Sequence, residues 1–351
     1  MEHLVRDCFK KGGYVFAERP EELAGKHWLT RVARLASNEN PDPPSPETIA
    51  CGIAALRHAN RYPDERVDIL MDALKRYYGD YPFVTGVGMD GVIETLIRTL
   101  VDPGEKVAIS MPTFSFYGLS AVAQGATVVP ILRKPDFSVD ADRLVAAGKD
   151  AKVTVLCSPN NPTGNATPAA VVEEILRRID GVLFLDCAYV EFSGIDYLPL
   201  LKRYENLVIG RTFSKVHSLA GLRIGYAFVP PWLQPYYFRA GTPFTVNSVS
   251  AAVAAAALDD REHATRYIAR VAQWRERFAC EVTCPVLPSD ANFMMVDVAP
   301  STGDSAARAL AEKGVIVRSC RSFPGLPDHY IRVSIGEDWE NEQCIRAINS
   351  L

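Results

Sequence analysis

Short apolar runs alternate with amphipathic stretches along most of the chain. The runs are rich in Val, Ile and Leu and predict strands, while the stretches repeat apolar residues at helical spacing. In the first predicted helix, the apolar stripe consists of Ile69, Leu70, Ala73, Leu74 and Tyr77. The strands predicted in this part are Lys106–Met111, Val153–Ser158, Val182–Asp186, Leu207–Thr212 and Arg223–Val229, and the helices are Asp68–Tyr78, Gly91–Val101 and Ala169–Ile179.

This alternation predicts an α/β fold with a mostly parallel sheet flanked by helices. Ligands of such sheets bind beyond the carboxyl ends of the strands. Asn161, Asp186 and the pair Ser214-Lys215 follow or end predicted strands, so we expect them to lie close together.

The pattern changes after about residue 260 and predicts a smaller α+β domain. We expect residues 1–45 to form an N-terminal arm and part of this small domain, residues 46–255 the large ligand-binding domain, and residues 256–351 the rest of the small one. The elements predicted in the last part are Glu262–Phe278, Ser305–Lys313 and Glu340–Ile348 as helices, and Asn292–Asp297, Val315–Arg318 and Tyr330–Ile335 as strands.

Composition and charge exclude several classes of protein. Of 351 residues, 48% are hydrophobic and 23% charged, which is typical of a globular protein, and the net charge of −4 gives no basic surface for nucleic acid. The first twenty residues contain no uninterrupted apolar stretch, so we expect no signal peptide, and no apolar run approaches the roughly 18 residues that span a bilayer. Eight scattered cysteines, with only Cys280 and Cys284 close together, indicate reduced thiols in a cytoplasmic protein without a metal site.

The segment Gly86–Gly91 has the spacing G-x-G-x-x-G and opens a predicted helix. A nicotinamide-binding fold needs an acidic residue at the end of the next strand, and here that strand ends in Ser110-Met111-Pro112. A dehydrogenase is therefore disfavoured. What remains is a glycine-rich turn at a helix N-terminus, which is suited to holding a phosphate.

Three further segments carry candidate chemistry. Lys215 follows a strand among small and apolar residues, where a lysine can act as an amine nucleophile toward an aldehyde, with Ser214 and Arg223 beside it as phosphate ligands. Asp186 ends a buried strand and needs a cationic partner, such as a pyridinium nitrogen. Asn161 is either an ordinary turn residue or a ligand of this same site.

Together these segments resemble the fold-type I aminotransferases that use pyridoxal 5′-phosphate (PLP), and most closely the histidinol-phosphate aminotransferase subgroup. The resemblance covers nearly the whole chain after the first thirty residues. It rests on Leu35–Pro41 (LASNENP), Arg61-Tyr62-Pro63, Gly88-Met89-Asp90, Pro112-Thr113-Phe114, Asn161–Gly164 (NPTG), Asp186-x-x-Tyr189, Ser214-Lys215 with Arg223, Val246-Asn247-Ser248 and Arg332–Gly336 (RVSIG).

The resemblance implies a role for each matching residue of the cofactor ring. Lys215 would hold PLP as a Schiff base and then carry the proton between substrate and cofactor. Asp186 would keep the pyridine nitrogen protonated. Asn161 and Tyr189 would bond the ring oxygen O3′, and Phe114 would stack on the ring.

The phosphate end of the cofactor has its own implied set. The turn at Gly88, the backbone amides of Met89 and Asp90, and the side chains of Ser214 and Arg223 would hold the cofactor phosphate.

Further implied roles concern the substrate and a second subunit. Tyr62 would reach the cofactor phosphate of a neighbouring subunit, which requires a homodimer with shared active sites. Arg332 would clamp the substrate carboxylate, assisted by Asn161, with Arg318 as a second candidate.

The implied reaction transfers an amino group from histidinol phosphate to 2-oxoglutarate, within histidine biosynthesis. Its partners are thus a small amino donor and a 2-oxo acid. An aromatic amino-acid aminotransferase and a threonine-phosphate decarboxylase remain alternatives, because they share the cofactor residues and differ in the substrate pocket.

Overall fold

The computed structural model describes residues 1–10, 13–15, 22, 26 and 29–351. Much of the predicted N-terminal arm before residue 29 therefore lies outside the described residues. Within them, a seven-stranded sheet forms the centre of the large part of the molecule, in the strand order β2-β8-β7-β6-β5-β3-β4. The strands of the first 260 residues are β1 (Ala33–Arg34), β2 (Phe83–Val87), β3 (Lys106–Met111), β4 (Thr127–Leu132), β5 (Ala151–Cys157), β6 (Val182–Asp186), β7 (Leu207–Thr212) and β8 (Ile224–Phe228).

The sheet is mostly parallel, as predicted. The β4-β3-β5-β6-β7 block is parallel, while β8 runs antiparallel to both β7 and β2. Strand residues alternate between two hydrophobic clusters: Leu183 and Leu185 belong to one, Val182 and Phe184 to the other. Because successive strand side chains point to opposite faces, both faces of the sheet are buried.

Helices cover both faces. They are α1 (Pro46–Leu56), α2 (Asp68–Tyr78), α3 (Gly88–Leu100), α4 (Phe116–Gln124), α5 (Ala141–Gly148), α6 (Ala169–Arg178), α7 (Leu198–Leu201), α8 (Gln234–Ala240) and α9 (Ser248–Asp259). Among the described helices, none combines the length and apolar character that crossing a membrane requires.

The last ninety residues build a second layer around a separate core. A three-stranded antiparallel sheet has the order β11-β12-β9, and β1 pairs in parallel with β10. Ala33 and Leu35 pack in the same cluster as residues of this part. The elements are α10 (Arg261–Glu281), β9 (Phe293–Asp297), α11 (Gly303–Glu312), β10 (Val315–Ile316), β11 (Arg318–Ser319), β12 (Tyr330–Ser334) and α12 (Asp338–Ile348). The division into domains at residues 45 and 255 stays a prediction.

Helix α2 begins and ends at the predicted residues; Leu70, Ala73 and Leu74 of its apolar stripe are buried, while Ile69 and Tyr77 are 55% and 37% exposed. Some other predicted bounds are wrong. Arg223 does not begin β8, since its φ of 50° is left-handed and incompatible with a strand. The predicted strand Val315–Arg318 is divided into β10 and β11, which pair with different partners.

Gly225 of β8 lies against the start of α3. A Cβ atom at this position would be 2.6 Å from the carbonyl carbon of Gly88 and 2.7 Å from the amide nitrogen of Met89. Because these close atoms belong to the backbone, they cannot move away without distorting α3 and β8. We therefore predict that Gly225→Ala lowers the free energy of unfolding by about 2 kcal/mol or more. Thermal unfolding of the purified chain measures this.

Gly118→Ala is the matched control. Gly118 lies in α4, and its Cβ would meet only Ile109 at 4.0 Å. Since alanine favours a helix over glycine, this variant should be neutral or slightly more stable. Equal melting temperatures for the two variants would contradict the close approach of β8 to α3.

Candidate active site

A cavity of about 520 Å³ opens at the carboxyl ends of the central strands, which is a typical size for a small-molecule site. Most predicted site residues, drawn from many separate segments, share its wall. They are Met89, Asp90, Phe114, Asn161, Asp186, Tyr189, Ser214, Lys215, Arg223, Arg318 and Arg332.

Asp186 forms the buried floor of the cavity and is only 3% exposed. Tyr117 donates its hydroxyl hydrogen to Oδ2 at 2.6 Å, and the amide of Ala188 donates to Oδ1 at 2.9 Å. Burial raises the pKa of this carboxyl to about 6, against the lowering effect of the two hydrogen bonds. A buried carboxylate whose donors are neutral favours a cation in the cavity beside it.

Lys215 lines the same cavity, three residues beyond the end of β7. Its Nζ donates to the backbone carbonyl of Ser37 at 3.3 Å and lies 5.5 Å from the ring centre of Tyr189. Burial, helped by the positive charges of Arg332 and Arg223, lowers the pKa of the amine to about 8. An appreciable fraction of the amine is therefore unprotonated and nucleophilic near neutral pH.

One end of the cavity is built to hold an anion. Helix α3 begins at Gly88, whose φ is 67°, and no side chain caps its first turn, so the first N–H groups stay available. Arg223 donates from Nη2 to Oδ2 of Asp90 at 2.8 Å. Thr212 donates from its hydroxyl to the hydroxyl oxygen of Ser214 at 3.0 Å. A side chain at Gly88 would collide with the Arg223 guanidinium, with 2.7 Å from Cβ to Nη2.

The opposite end carries two arginines. Buried Arg332 donates to Oδ1 of Asn161 and to the carbonyl of Ala36, and its Nε is buried without a partner among the described residues. Arg318 donates to the hydroxyl of Ser322 at 3.2 Å. Burial and the nearby charge of Arg332 lower the pKa of Arg318. Two close guanidinium groups bonded to neutral oxygens favour an anionic ligand.

Sequence reasoning missed two components of the site. Tyr117, which bonds Asp186, lies in α4 three residues after Phe114, and its nearness to that motif in the sequence was the available signal. The other is residues 36–40, here named the crossing segment because it passes between the two parts of the molecule. Its backbone carbonyls accept hydrogen bonds from Arg332 and Lys215. It belongs to the motif that carries the resemblance, but backbone contacts leave no signature in residue type.

Tyr62 stands apart from the other predicted residues. It is 84% exposed, lies outside the cavity and stacks on Phe244 with 4.9 Å between ring centres. Its predicted role involves a neighbouring subunit and stays a prediction.

The donor set fits PLP, the group that the resemblance implies. A nucleophilic amine stands at Lys215, and a buried carboxylate without a charged donor stands at Asp186, where a pyridinium nitrogen would provide the cation. The uncapped start of α3, with the Arg223 guanidinium packed against Gly88, suits a phosphate.

Comparison with known proteins agrees with this geometry. The profile of the family "Aminotransferase class I and II" matches residues 30–348, and the chain belongs to this family. The fold class, the transaminase chemistry and the PLP cofactor expected from the sequence are thereby confirmed.

More specific similarity comes from individual relatives. The chain is 59% identical to the histidinol-phosphate aminotransferase of Methanoculleus marisnigri and 55% identical to that of Methanocorpusculum labreanum, in both cases over the full length of both chains. Among solved structures, the histidinol-phosphate aminotransferase of Sinorhizobium meliloti in complex with PLP superposes with a TM-score of 0.87 at 27% identity, covering 99% of this chain and 97% of that one.

Tyr117→Phe tests the contact beneath the cavity. Removing a donor from a carboxylate destabilises its ionised form, so the pKa of Asp186 should rise above its value of about 6. Activity that needs ionised Asp186 is then lost at a higher pH as the solution is acidified. We expect the acid limb of the kcat/KM profile to move upward by about one pH unit.

Tyr237→Phe is the matched control, because its buried hydroxyl bonds the carbonyl of Thr85 at 3.1 Å, away from the cavity. Loss of this hydrogen bond should lower the free energy of unfolding by about 1 kcal/mol, as in Tyr117→Phe, without moving the pH profile. An unchanged acid limb in Tyr117→Phe would refute the assigned influence on Asp186.

Proposed function

We propose that this enzyme transfers the amino group of histidinol phosphate to 2-oxoglutarate, giving imidazole-acetol phosphate and glutamate in histidine biosynthesis. The observation that carries the proposal is the 59% identity, over both full lengths, to a relative with that name. The cavity supports it, since it offers one anion site for the cofactor and a second, two-arginine site for the substrate.

The residues around the ring divide the cofactor binding among them. When bound, PLP with a protonated ring nitrogen withdraws electrons from the substrate carbon that carries the amino group. Asp186 keeps that nitrogen protonated. Asn161 accepts from Arg332 through its Oδ1, so its Nδ2 would remain to donate to O3′, to which the Tyr189 hydroxyl would also donate. Phe114 would pack on the ring, and Met89, Asp90, Ser214 and Arg223 would hold the phosphate.

Lys215 carries the proton in the chemical step. With PLP bound, the unprotonated Nζ of Lys215 would accept the proton from the substrate Cα and would deliver it to the cofactor carbon C4′. A pKa of about 8 suits this role, because an amine that stays fully protonated cannot accept a proton.

The substrate end must accept two different anions. In histidinol phosphate, a phosphate group on the adjacent carbon stands where glutamate has its α-carboxylate. Arg332 suffices for a carboxylate, whereas a phosphate of nearly two charges benefits from Arg318 as well. Both line the same cavity, so the pair suits a substrate set of this kind.

We further propose a homodimer in the cytoplasm. Ile49, Ile53 and Leu56 form an exposed apolar stripe on α1, and Tyr62 and Phe244 are also exposed. Apolar patches of this kind are typical of protein interfaces. A second copy on this face would place Tyr62 near the other subunit's cofactor phosphate. All eight cysteines lie within the described ranges and are free thiols, which supports a reducing compartment.

The essential amine gives the first test of this proposal. The purified chain should show visible absorbance from bound PLP, and borohydride should fix the cofactor on Lys215. Lys215→Ala should lose transaminase activity by at least about a thousandfold, because the proton carrier is gone. The rate at which stripped protein captures added PLP should rise with pH through about 8, since only the neutral amine reacts.

Lys106→Ala serves as the control. Lys106 is the first residue of β3, at the end of the strand away from the cavity, and forms an exposed ion pair with Asp150. It should keep both colour and turnover. A colourless chain that ignores added PLP, or turnover retained in Lys215→Ala, would overturn the proposed mechanism.

Substrate choice gives the second test. We expect kcat/KM to be greatest for histidinol phosphate among histidinol phosphate, phenylalanine, tyrosine and threonine phosphate. Arg318→Gln should lower kcat/KM for histidinol phosphate about tenfold or more, and lower that for glutamate less, because the carboxylate keeps Arg332.

Arg308→Gln is a suitable control for this variant, since Arg308 lies on the neighbouring surface beside Arg318 but outside the cavity. It should leave both substrates unaffected. A preference for an amino acid would favour an aromatic aminotransferase, and release of carbon dioxide from threonine phosphate would favour the decarboxylase.

A further inference from the structure

Asn38, in the crossing segment, occupies a position that only a few residue types tolerate. It is 1% exposed, and its φ of 54° is left-handed, a conformation for which asparagine is one of the better non-glycine residues. Its backbone is held on both sides: Asn38 N donates to Ser334 Oγ at 2.9 Å, and Asn292 donates to the Asn38 carbonyl at 3.2 Å. The position of its side chain is therefore well defined.

The hydrogen bonds around this side chain have a fixed direction. Ser334 Oγ accepts from the Asn38 backbone N–H and donates its own hydrogen to Asn38 Oδ1, at 3.0 Å. The amide is thereby oriented with its Nδ2 toward Tyr189, whose hydroxyl oxygen lies at 3.1 Å. Because Nδ2 can only donate, the Tyr189 oxygen must accept in this contact.

The consequence concerns the hydrogen of the Tyr189 hydroxyl. With its oxygen accepting from Asn38, that hydrogen is directed to another acceptor. Tyr189 lines the cavity, and burial raises the pKa of its hydroxyl far above the ordinary range, so the group keeps its hydrogen. The ring oxygen O3′ of the proposed cofactor is the acceptor that the cavity would provide.

We propose that Asn38 is a positioning residue: oriented by Ser334, it acts through Tyr189 and directs the tyrosine hydroxyl hydrogen at the cofactor oxygen. This inference rests on the proposed PLP chemistry but assigns a role to residues that do not touch the reacting atoms. It explains why the residue buried between β12 and the loop that carries Tyr189 has a hydrogen-bonding side chain, although a smaller residue such as glycine would also fit the backbone conformation.

The effect is measurable in the visible spectrum of the holoenzyme. A donor to O3′ stabilises the more negative, deprotonated form of the bound chromophore, so loss of the donor raises the pH at which the colour changes. We expect Asn38→Gly, which keeps the left-handed backbone, to raise this midpoint by about half to one pH unit, and Tyr189→Phe to raise it at least as far.

A double-mutant cycle separates positioning from mere structural support. In the Tyr189→Phe background there is no hydroxyl to direct, so adding Asn38→Gly should move the midpoint no further. Ser334→Ala, which removes the hydroxyl that orients the amide, should raise the midpoint by a smaller amount. Additive shifts in the double variant, or an unchanged midpoint in Asn38→Gly, would overturn the proposal.

Asn341→Ala provides the matched control. Asn341 is likewise fully buried and uses its amide on both backbone groups of Gly336, away from the cavity. It should lower the melting temperature without moving the midpoint, and an equal shift in this variant would also refute the assignment. Failure of the PLP proposal itself looks different, because the wild-type chain would then show no visible band to titrate.

Discussion

The structure depends on one buried negative charge. Asp186 ends the most central part of the sheet, nearly inaccessible to solvent, with only neutral groups of Tyr117 and Ala188 bonded to it. A carboxylate in such a place is costly unless a cation accompanies it. Its position makes the cavity selective for a ligand with a positive centre at that depth. The amine of Lys215 and the anion site at the start of α3 further require that this ligand carry an aldehyde and a phosphate.

The crossing segment links this site to the small sheet. Residues 36–40 lie between the two cores and offer successive carbonyls to side chains from both sides: Ala36 to Arg332, Ser37 to Lys215, and Asn38 to Asn292. The substrate arginine and the cofactor lysine are therefore attached to one short stretch of backbone. A displacement of this stretch would affect substrate and cofactor binding together.

Much of this could be predicted from the sequence, for a physical reason. Buried parallel strands are continuous apolar runs, and β3, β6 and β7 begin and end at the predicted residues. Strands β2 and β4 were not predicted, because β2 contains Thr85 and Gly86 and β4 contains Pro130, which interrupt the apolar pattern. The site residues at strand ends were found by residue type, whereas Tyr117 and the carbonyls of the crossing segment act through contacts that only the folded chain creates.

The two groups of positive charge at the cavity ends have a consequence for how the enzyme meets its surroundings. The whole chain carries a net charge of −4, yet Lys215, Arg223, Arg318 and Arg332 line one pocket. Glu39, Asp90 and Asp186 line the same pocket and offset part of this charge, but Arg318 and Arg332 are bonded to neutral oxygens. Their end of the pocket therefore attracts small anions, and added salt weakens that attraction. Inorganic phosphate and sulfate carry the same kind of charge as the substrate. These ions therefore compete with the substrate for the same end of the pocket, and their concentration sets how much substrate is needed to occupy it.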